Sequence, residues 1–399
     1  MSKFLESIFS VKNVNSHKVV NIFGFKLKFK NKTNLIQLQI LKIIELCSCL
    51  KDMQQSIYSK FNELFSAQQS QFEQLTKLDQ ISAASQIVQN NYNKSLYLIP
   101  GEIAHLQQFP AYYEREDFFL KYKNLVRGLD DESILNINKI ITYQKKCKDC
   151  GNIPIDIFSD KEKAYIENLK ATFNNLIVQL GKDVFAYKKY LLPINWFEEC
   201  VFYYKHGIPV LRNAEYFKDK DIIDAGAFIG DSALVLSDYT SKNVYSFEML
   251  PEHIELINKT IELNNLTNVI PVNKALGDEC KKVKFNINTS STSIKDFSHS
   301  PILGTSEVEM ITLDEFVNVH NLEVGLIKTD LEGAEQEFLR GAENTIKTQK
   351  PTLLISIYHS PSDLFEIKPM IESWNLGYKF KIIKQTEKVH LETMLLAEI

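Results

Sequence analysis

Two hydrophobic patterns divide the chain. From about Asp221 onward, short β-branched apolar runs alternate with stretches of helical spacing. The runs are DIIDAG, NVYSFEM, NVIPVNKA, VGLIKTDLEG and PTLLISIY, with 251–264 and 334–348 among the helical stretches between them. Strands alternating with helices predict a parallel sheet with crossover helices, the doubly wound α/β class. The last two runs, GYKFKIIKQ and HLETMLLAEI, are joined by only a short polar link. They stand too close for a crossover and are expected to pair antiparallel, so the sheet ends in a hairpin.

Upstream the pattern differs. Phe25, Leu27 and Phe29 alternate with Lys26, Lys28 and Lys30, the period of a half-buried strand in a small β-hairpin over 18–30. The lysine row reads as a solvated face; an anionic lipid or glycan is the other use for it. Between Phe25 and Ile99 there is no proline, and no glycine. There Leu50, Met53, Ile57, Phe61, Leu64, Leu75 and Leu78 recur at helical spacing from 35 onward. Such a stripe packs on its own chain or forms a seam joining two copies, most simply a homodimer; Gln68 and Gln71 interrupt it. Further helices are expected over 161–180, capped by Asp160 and stopped by Gly181, and over 196–204. The aromatic cluster Trp196, Phe197, Phe202, Tyr203 and Tyr204 reads as core where two domains meet, or as the lining of a pocket. The expected organisation is an arm over 1–34, a mainly helical accessory region over 35–200, and the α/β domain over 205–399.

Composition narrows the function classes. A chain of 399 residues implies more than one packing unit. A net charge of −4 gives no global pull toward nucleic acid or an anionic surface. No window approaches the roughly 18–20 apolar residues of a membrane span. The opening MSKFLESIFSVKNV lacks the apolar core of a signal peptide. A cytoplasmic protein is expected, at most peripheral at the inner membrane. The six cysteines form no disulfide framework, and Cys147 and Cys150 make a lone CxxC with no second pair to complete a metal site.

The chemistry concentrates after the first α/β strand. Asp224, Gly226, Ala227, Phe228, Gly230, Asp231 and Ser232 form a turn that opens a helix. The glycines allow a tight turn and close backbone approach to a ligand. The acidic residues would repel a pyrophosphate, yet they suit a cofactor carrying an ammonium and a sulfonium. Glu248 closes the second strand, where a carboxylate can accept ribose hydroxyls.

The stretches DIIDAGAFIGDS, SFEMLPEH, KALGD, TSSTSI, ITLDEF and IKTDLEGAEQEFLRGAE together resemble the FkbM family of class I methyltransferases, over roughly 205–399. The element from Lys328 to Glu335, KTDLEGAE, is specific to that pattern. The resemblance implies a Rossmann-like sheet, S-adenosylmethionine as cofactor, and O-methylation of a sugar or natural-product hydroxyl. The cofactor contacts would be the loop residues above, Glu248, and Ala275 and Leu276 of KALGD. The acceptor would be a glycan or sugar nucleotide. One departure is that the fifth strand runs into Tyr358-His359 where an acidic residue is usual.

Asp330, Glu332 and His359 fall at strand C-terminal ends, the edge where open α/β sheets bind ligands. They are the candidate catalytic groups; the bland reading is that Asp330 organises its loop and His359 is a surface residue. A metal is not assigned, because paired carboxylates alone are too few ligands. Two rival functions remain at this point, a nicotinamide-dependent oxidoreductase and a non-catalytic cofactor-binding assembly protein of a glycan cluster.

Overall fold

The computed structural model describes residues 9–14, 17–22, 25–30, 108–150, 155–288, 302–384, 389 and 391–399. The chain divides into two compact units, Met1–Gln89 and Asn90–Ile399. The apolar stripe over 35–90, for which a seam joining two copies is one of two expectations, and the TSSTSI run lie outside the described residues. The first unit holds an antiparallel sheet of β1 (Phe9–Val14), β2 (His17–Ile22) and β3 (Phe25–Lys30). The expected hairpin therefore has a third strand in front of it.

The second unit begins with a helical turn over 108–113, then α1 (Phe118–Val126), α2 (Asp131–Asp149) and α3 (Asp160–Asn174). A meander follows: β4 (Ile177–Gly181), β5 (Val184–Tyr187) and β6 (Tyr190–Leu192). This corrects the helix expected over 161–180. The helix ends at Asn174, the β-branched pair Ile177-Val178 starts a strand, and Gly181 serves the hairpin turn rather than a helix stop. The cap also differs. Ser159, not Asp160, is the N-cap, and its side chain and that of Glu162 exchange bonds with each other's backbone. The hydrogen bond from Lys139, then those from Ser159, hold the Glu162 carboxyl down to about 2. Ser159→Ala should cost about 0.5–2 kcal/mol, read as a lower urea midpoint with an unchanged slope. A slope change would mean that more than the cap was lost.

After α4 (Glu199–Phe202) come β7 (Asp221–Ala225), α5 (Asp231–Leu236), β8 (Val244–Phe247), α6 (Pro251–Asn264) and β9 (Val269–Val272). A small sheet of β10 (Ala275–Leu276), β11 (Lys281–Asn288) and β12 (Ile302–Ile311), which the sequence did not suggest, is inserted next. Then follow α7 (Leu313–His320), β13 (Val324–Thr329), α8 (Glu335–Gly341), α9 (Glu343–Gln349), β14 (Thr352–Ser356), α10 (Pro361–Ser373), β15 (Lys379–Lys384) and β16 (Thr393–Glu398).

The central sheet has seven strands in the order β15-β16-β14-β13-β7-β8-β9. The five from β14 to β9 are parallel, and β16 is antiparallel to both β14 and β15. This is the expected doubly wound sheet ending in an antiparallel hairpin. Every residue of β7, β13 and β14 is buried. Alternate residues serve opposite layers: Ile223, Ile327, Leu353 and Ile355 pack in one core, Ile222, Leu326 and Leu354 in another. That explains runs that are apolar throughout rather than alternating. The chain winds from β7 outward through β8 and β9, then returns to β13 on the other side of β7. The crevice at the C-terminal ends of β7 and β13 is therefore the topological switch point, where such sheets bind ligands.

The expected boundary near 200–205 is not a packing boundary. Leu125, Ile137, Ile140 and Tyr143 share one core with Phe365, Ile371 and Ile382 of the sheet domain. Tyr112 stacks on Phe365 at 5.3 Å. The Ser133 hydroxyl accepts the Ile382 N–H at 2.8 Å, and the Asn136 amide donates to the Ile382 carbonyl at 3.1 Å. Edge strand β15 thus finds partners on α2 for backbone groups that would otherwise stand open. Cys147 is buried in α2 and Cys150 is exposed at its C-cap; among the described residues no third ligand joins them.

Candidate active site

Strand β7 ends in a loop whose first residue has no room for a side chain. Gly226 has φ +80, and a Cβ there would fall 1.9 Å from the Asp330 carbonyl oxygen. Its N–H and that of Ala227 both donate to the Phe247 carbonyl, at 3.1 and 3.0 Å. Asp330 N–H donates to the Ala225 carbonyl at 2.9 Å, so the loop and the end of β13 are held as one surface. Gly230 also has a positive φ, at +82, and leads into α5.

The loop residues divide into a buried floor and an open face. Asp224 is fully buried, and Lys328 Nζ stands 3.2 Å from its Oδ1 and 3.0 Å from the Gly226 carbonyl oxygen. Burial raises the Asp224 carboxyl above its usual range, and Lys328 opposes that rise. Ala227, Asp231 and Ser232 are buried, and burial pushes Asp231 up to about 7. Phe228 is half-buried between Trp196 and His253, with ring centroids at 5.5 and 4.7 Å. The aromatic cluster is therefore split. Phe202 and Phe197 pack with Tyr187 in the core, while exposed Trp196 flanks the loop.

Glu248 closes β8 as expected. Its two carboxylate oxygens accept the Phe228 and Leu250 N–H groups at 3.0 and 2.9 Å. A carboxylate offers about four lone-pair sites, so this fixes its orientation while leaving capacity for a ligand. Ala275 and Leu276 come out in β10, with both side chains packed in apolar cores.

Across the switch point, the residues after β13 and β14 meet. His359 Nε2 lies 3.2 Å from Asp330 Oδ1 and 3.7 Å from Glu332 Oε2. His359 Nδ1 lies 2.9 Å from Glu335 Oε1, which also accepts the Leu331 N–H at 2.7 Å. The Tyr358 hydroxyl sits between Glu392 Oε1 at 3.0 Å and Asp330 Oδ1 at 3.3 Å. Glu332, with φ +50, and Gly333, with φ +90, form the bend that turns this loop onto the sheet edge. His359 is 6% exposed, so it is a built part of the site rather than a surface residue.

Charge in this cluster is strongly coupled. Burial works against ionising Asp330, but the His359 hydrogen bond and charge, with Lys328 behind, outweigh it and hold the carboxyl below the usual range. Burial also works against a charged His359, yet Glu335 and Asp330 hold it protonated well above the usual histidine range. Burial pushes Glu332 up to about 7, although 41% of its side chain is open to solvent, where screening tempers the effect. His206, on a positive-φ turn before β7, is kept neutral by burial, its value lowered to about 3.

Glu335, Tyr358, Glu392 and His206 were not singled out from the sequence. Glu335 stood inside the KTDLEGAE element, so a signal existed. His206 and Glu392 carry no local pattern, and only the tertiary fold delivers them. A cavity of about 360 Å³ is lined by Asn136, Phe158, Tyr165 and Lys384 among others. Among the described residues no helix is long and apolar enough to cross a membrane.

Residues 224–380 match the methyltransferase FkbM domain. A curated protein called Methyltransferase 1, from Beauveria bassiana (strain ARSEF 2860), is 26% identical over 183 residues, covering 40% of this chain and 73% of that protein. The crystal structure of a methyltransferase FkbM from Methylobacillus flagellatus KT aligns over 70% of this chain and 58% of its own, at 18% identity and a TM-score of 0.46. A Streptococcus mutans structure described as a methyltransferase in complex with SAH aligns over 51% of this chain and 97% of its own, at 12% identity and a TM-score of 0.31. Residues 224–380 of this chain are a methyltransferase domain of the FkbM family.

Proposed function

We propose that this domain uses S-adenosylmethionine to O-methylate a hydroxyl of a surface glycan or glycan precursor in the cytoplasm. The observation that carries this reading is the convergence at one switch point of the Gly226 cradle, the oriented Glu248 and the Asp330–His359 pair. The residues present fit such a cofactor. A cradle that a Cβ would fill admits close backbone approach, and Glu248 supplies negative charge beside it. The same charge disfavours the pyrophosphate of a nicotinamide cofactor.

When bound, S-adenosylmethionine supplies an electrophilic methyl group. Glu248 would accept from the ribose, with Phe228 and Trp196 beside it. Asp330 carries the acceptor chemistry. Its Oδ1 is engaged by His359 and Tyr358, which leaves Oδ2 to take the hydroxyl proton as the new C–O bond forms. Alignment of the hydroxyl with the breaking bond is the other requirement, and the rigid ends of β7 and β13 provide it.

Calorimetry tests the cofactor directly. The purified chain should bind S-adenosylhomocysteine; binding of NAD in its place would overturn the reading. Glu248→Gln keeps the side-chain shape and part of the loop bonding but removes the charge. It should weaken S-adenosylhomocysteine binding by about 1.5–3 kcal/mol, the worth of hydrogen bonds to a charged group. Mass spectrometry of surface glycans with and without the protein then identifies the acceptor through a one-methyl difference.

A further inference from the structure

Three metal-type donors meet at the same sheet edge. Asp330 comes from the end of β13, Glu335 from the first turn of α8 and His359 from just past β14. One ligand atom of each lies within 4.8 Å of the others. Ions of this class hold their ligands at about 2.0–2.6 Å, which sets ligand atoms roughly 3–4 Å apart. The 3.2 Å from His359 Nε2 to Asp330 Oδ1 is a spacing of that kind, while Glu335 Oε1 lies 2.9 Å from the other ring nitrogen, Nδ1.

A second, independent observation points to a cation here. Glu335 is fully buried, and its Oε2 has no hydrogen-bond partner. A buried carboxylate oxygen without a partner is costly, and native folds rarely keep one without a reason. Lys328, the ammonium on β13 itself, is already committed to Asp224 and the Gly226 carbonyl. The charge count agrees: Asp330, Glu332 and Glu335 surround a single imidazole.

We propose that Asp330, Glu335 and His359 bind a divalent cation at the methyl-transfer site. The imidazole presents its two nitrogens to two carboxylates, so an ion taken at one nitrogen leaves the other held by a carboxylate. That is the usual way proteins orient a metal-binding histidine. One imidazole with carboxylate oxygens suits manganese, with remaining positions open to water and to acceptor oxygens. There the ion acts as a Lewis acid on the acceptor hydroxyl. The O–H bond breaks, the proton passes to Asp330 Oδ2, and the oxygen electron pair forms the bond to the methyl carbon. The pair of the broken S–C bond returns to sulfur, leaving a thioether. This catalytic consequence rests on the methyltransferase reading; the binding of the ion does not.

The test is a paramagnetic resonance titration of the full chain with Mn2+, after chelator treatment and desalting. Wild type should bind one ion per chain, with a pulsed spectrum showing coupling to an imidazole nitrogen. Asp330→Asn and His359→Ala should each weaken Mn2+ binding by at least about tenfold while S-adenosylhomocysteine still binds. No Mn2+ binding by wild type at millimolar concentration overturns the proposal, as does a spectrum without nitrogen coupling. Wild-type Mn2+ affinity in both variants overturns it too. Wild-type protein that binds Mn2+ but no S-adenosylhomocysteine would instead overturn the function proposed above.

Discussion

Lys328→Met should destabilise the protein by about 3–5 kcal/mol, the usual cost of leaving a buried charge without its partner. The ammonium of Lys328 is enclosed by two fully buried strands, 3.2 Å from Asp224 and 3.0 Å from the Gly226 carbonyl. Methionine fills much of the volume, so the loss reports the charge and not a cavity. Burial already raises the Asp224 carboxyl, and removing Lys328 removes the group that opposes the rise. A carboxyl whose folded value lies above its unfolded value stabilises the fold only while it is protonated. Its contribution is present below the ordinary carboxylate range and is lost as pH climbs through the raised value. The variant should therefore regain stability as pH falls from neutrality toward that range. Urea unfolding at several pH values measures both effects. A loss below about 1 kcal/mol at neutral pH would show that water reaches Asp224. Lys328→Met combined with Asp224→Leu should recover much of the loss, since apolar replacement of a buried pair is often close to neutral.

Asp330→Asn should lower turnover by about 10²–10⁴-fold and leave cofactor affinity nearly unchanged. The backbone of Asp330 is fixed through its N–H to Ala225 and by its carbonyl against Gly226, contacts that asparagine keeps. Asparagine keeps the shape and removes both the proton acceptor and the charge facing His359. Single-turnover kinetics with the acceptor found by glycan analysis separates this from a binding defect. Turnover within a few-fold of the parent would remove Asp330 from the chemistry and turn attention to Glu332. A joint fall in melting temperature and cofactor affinity would make its role structural.

The sheet was legible because its strands are buried on both faces and so read as unbroken apolar runs. The link between the last two runs is too short for a crossover, which made their antiparallel pairing a matter of geometry. The meander over 177–192 was misread because Leu176, Ile177 and Leu180 fit a helical spacing as well as a strand, and Gly181 can end either. In the site, residues at strand C-termini were legible because parallel strands bring those ends to one edge. Glu392 was not, because it precedes β16, which runs against its neighbour β14 and reaches the site from the opposite direction. Helix α2 falls in the region expected to be mainly helical, but no local pattern says that its polar residues Ser133 and Asn136 face a strand edge.

That last contact bears on how the protein can be cut, fused or recombined. A chain begun at residue 205 would keep every strand of the sheet and all of the catalytic groups except any help from Trp196. It would also uncover the backbone of β15 around Ile382 and the ring of Phe365, creating an adhesive rim where the intact molecule has a finished border. The useful excision point lies upstream of residue 108, ahead of the helical turn that carries Tyr112. Inheritance is constrained in the same way. A shuffled N-terminal segment is expected to fold with this sheet only if it brings its own cover for β15.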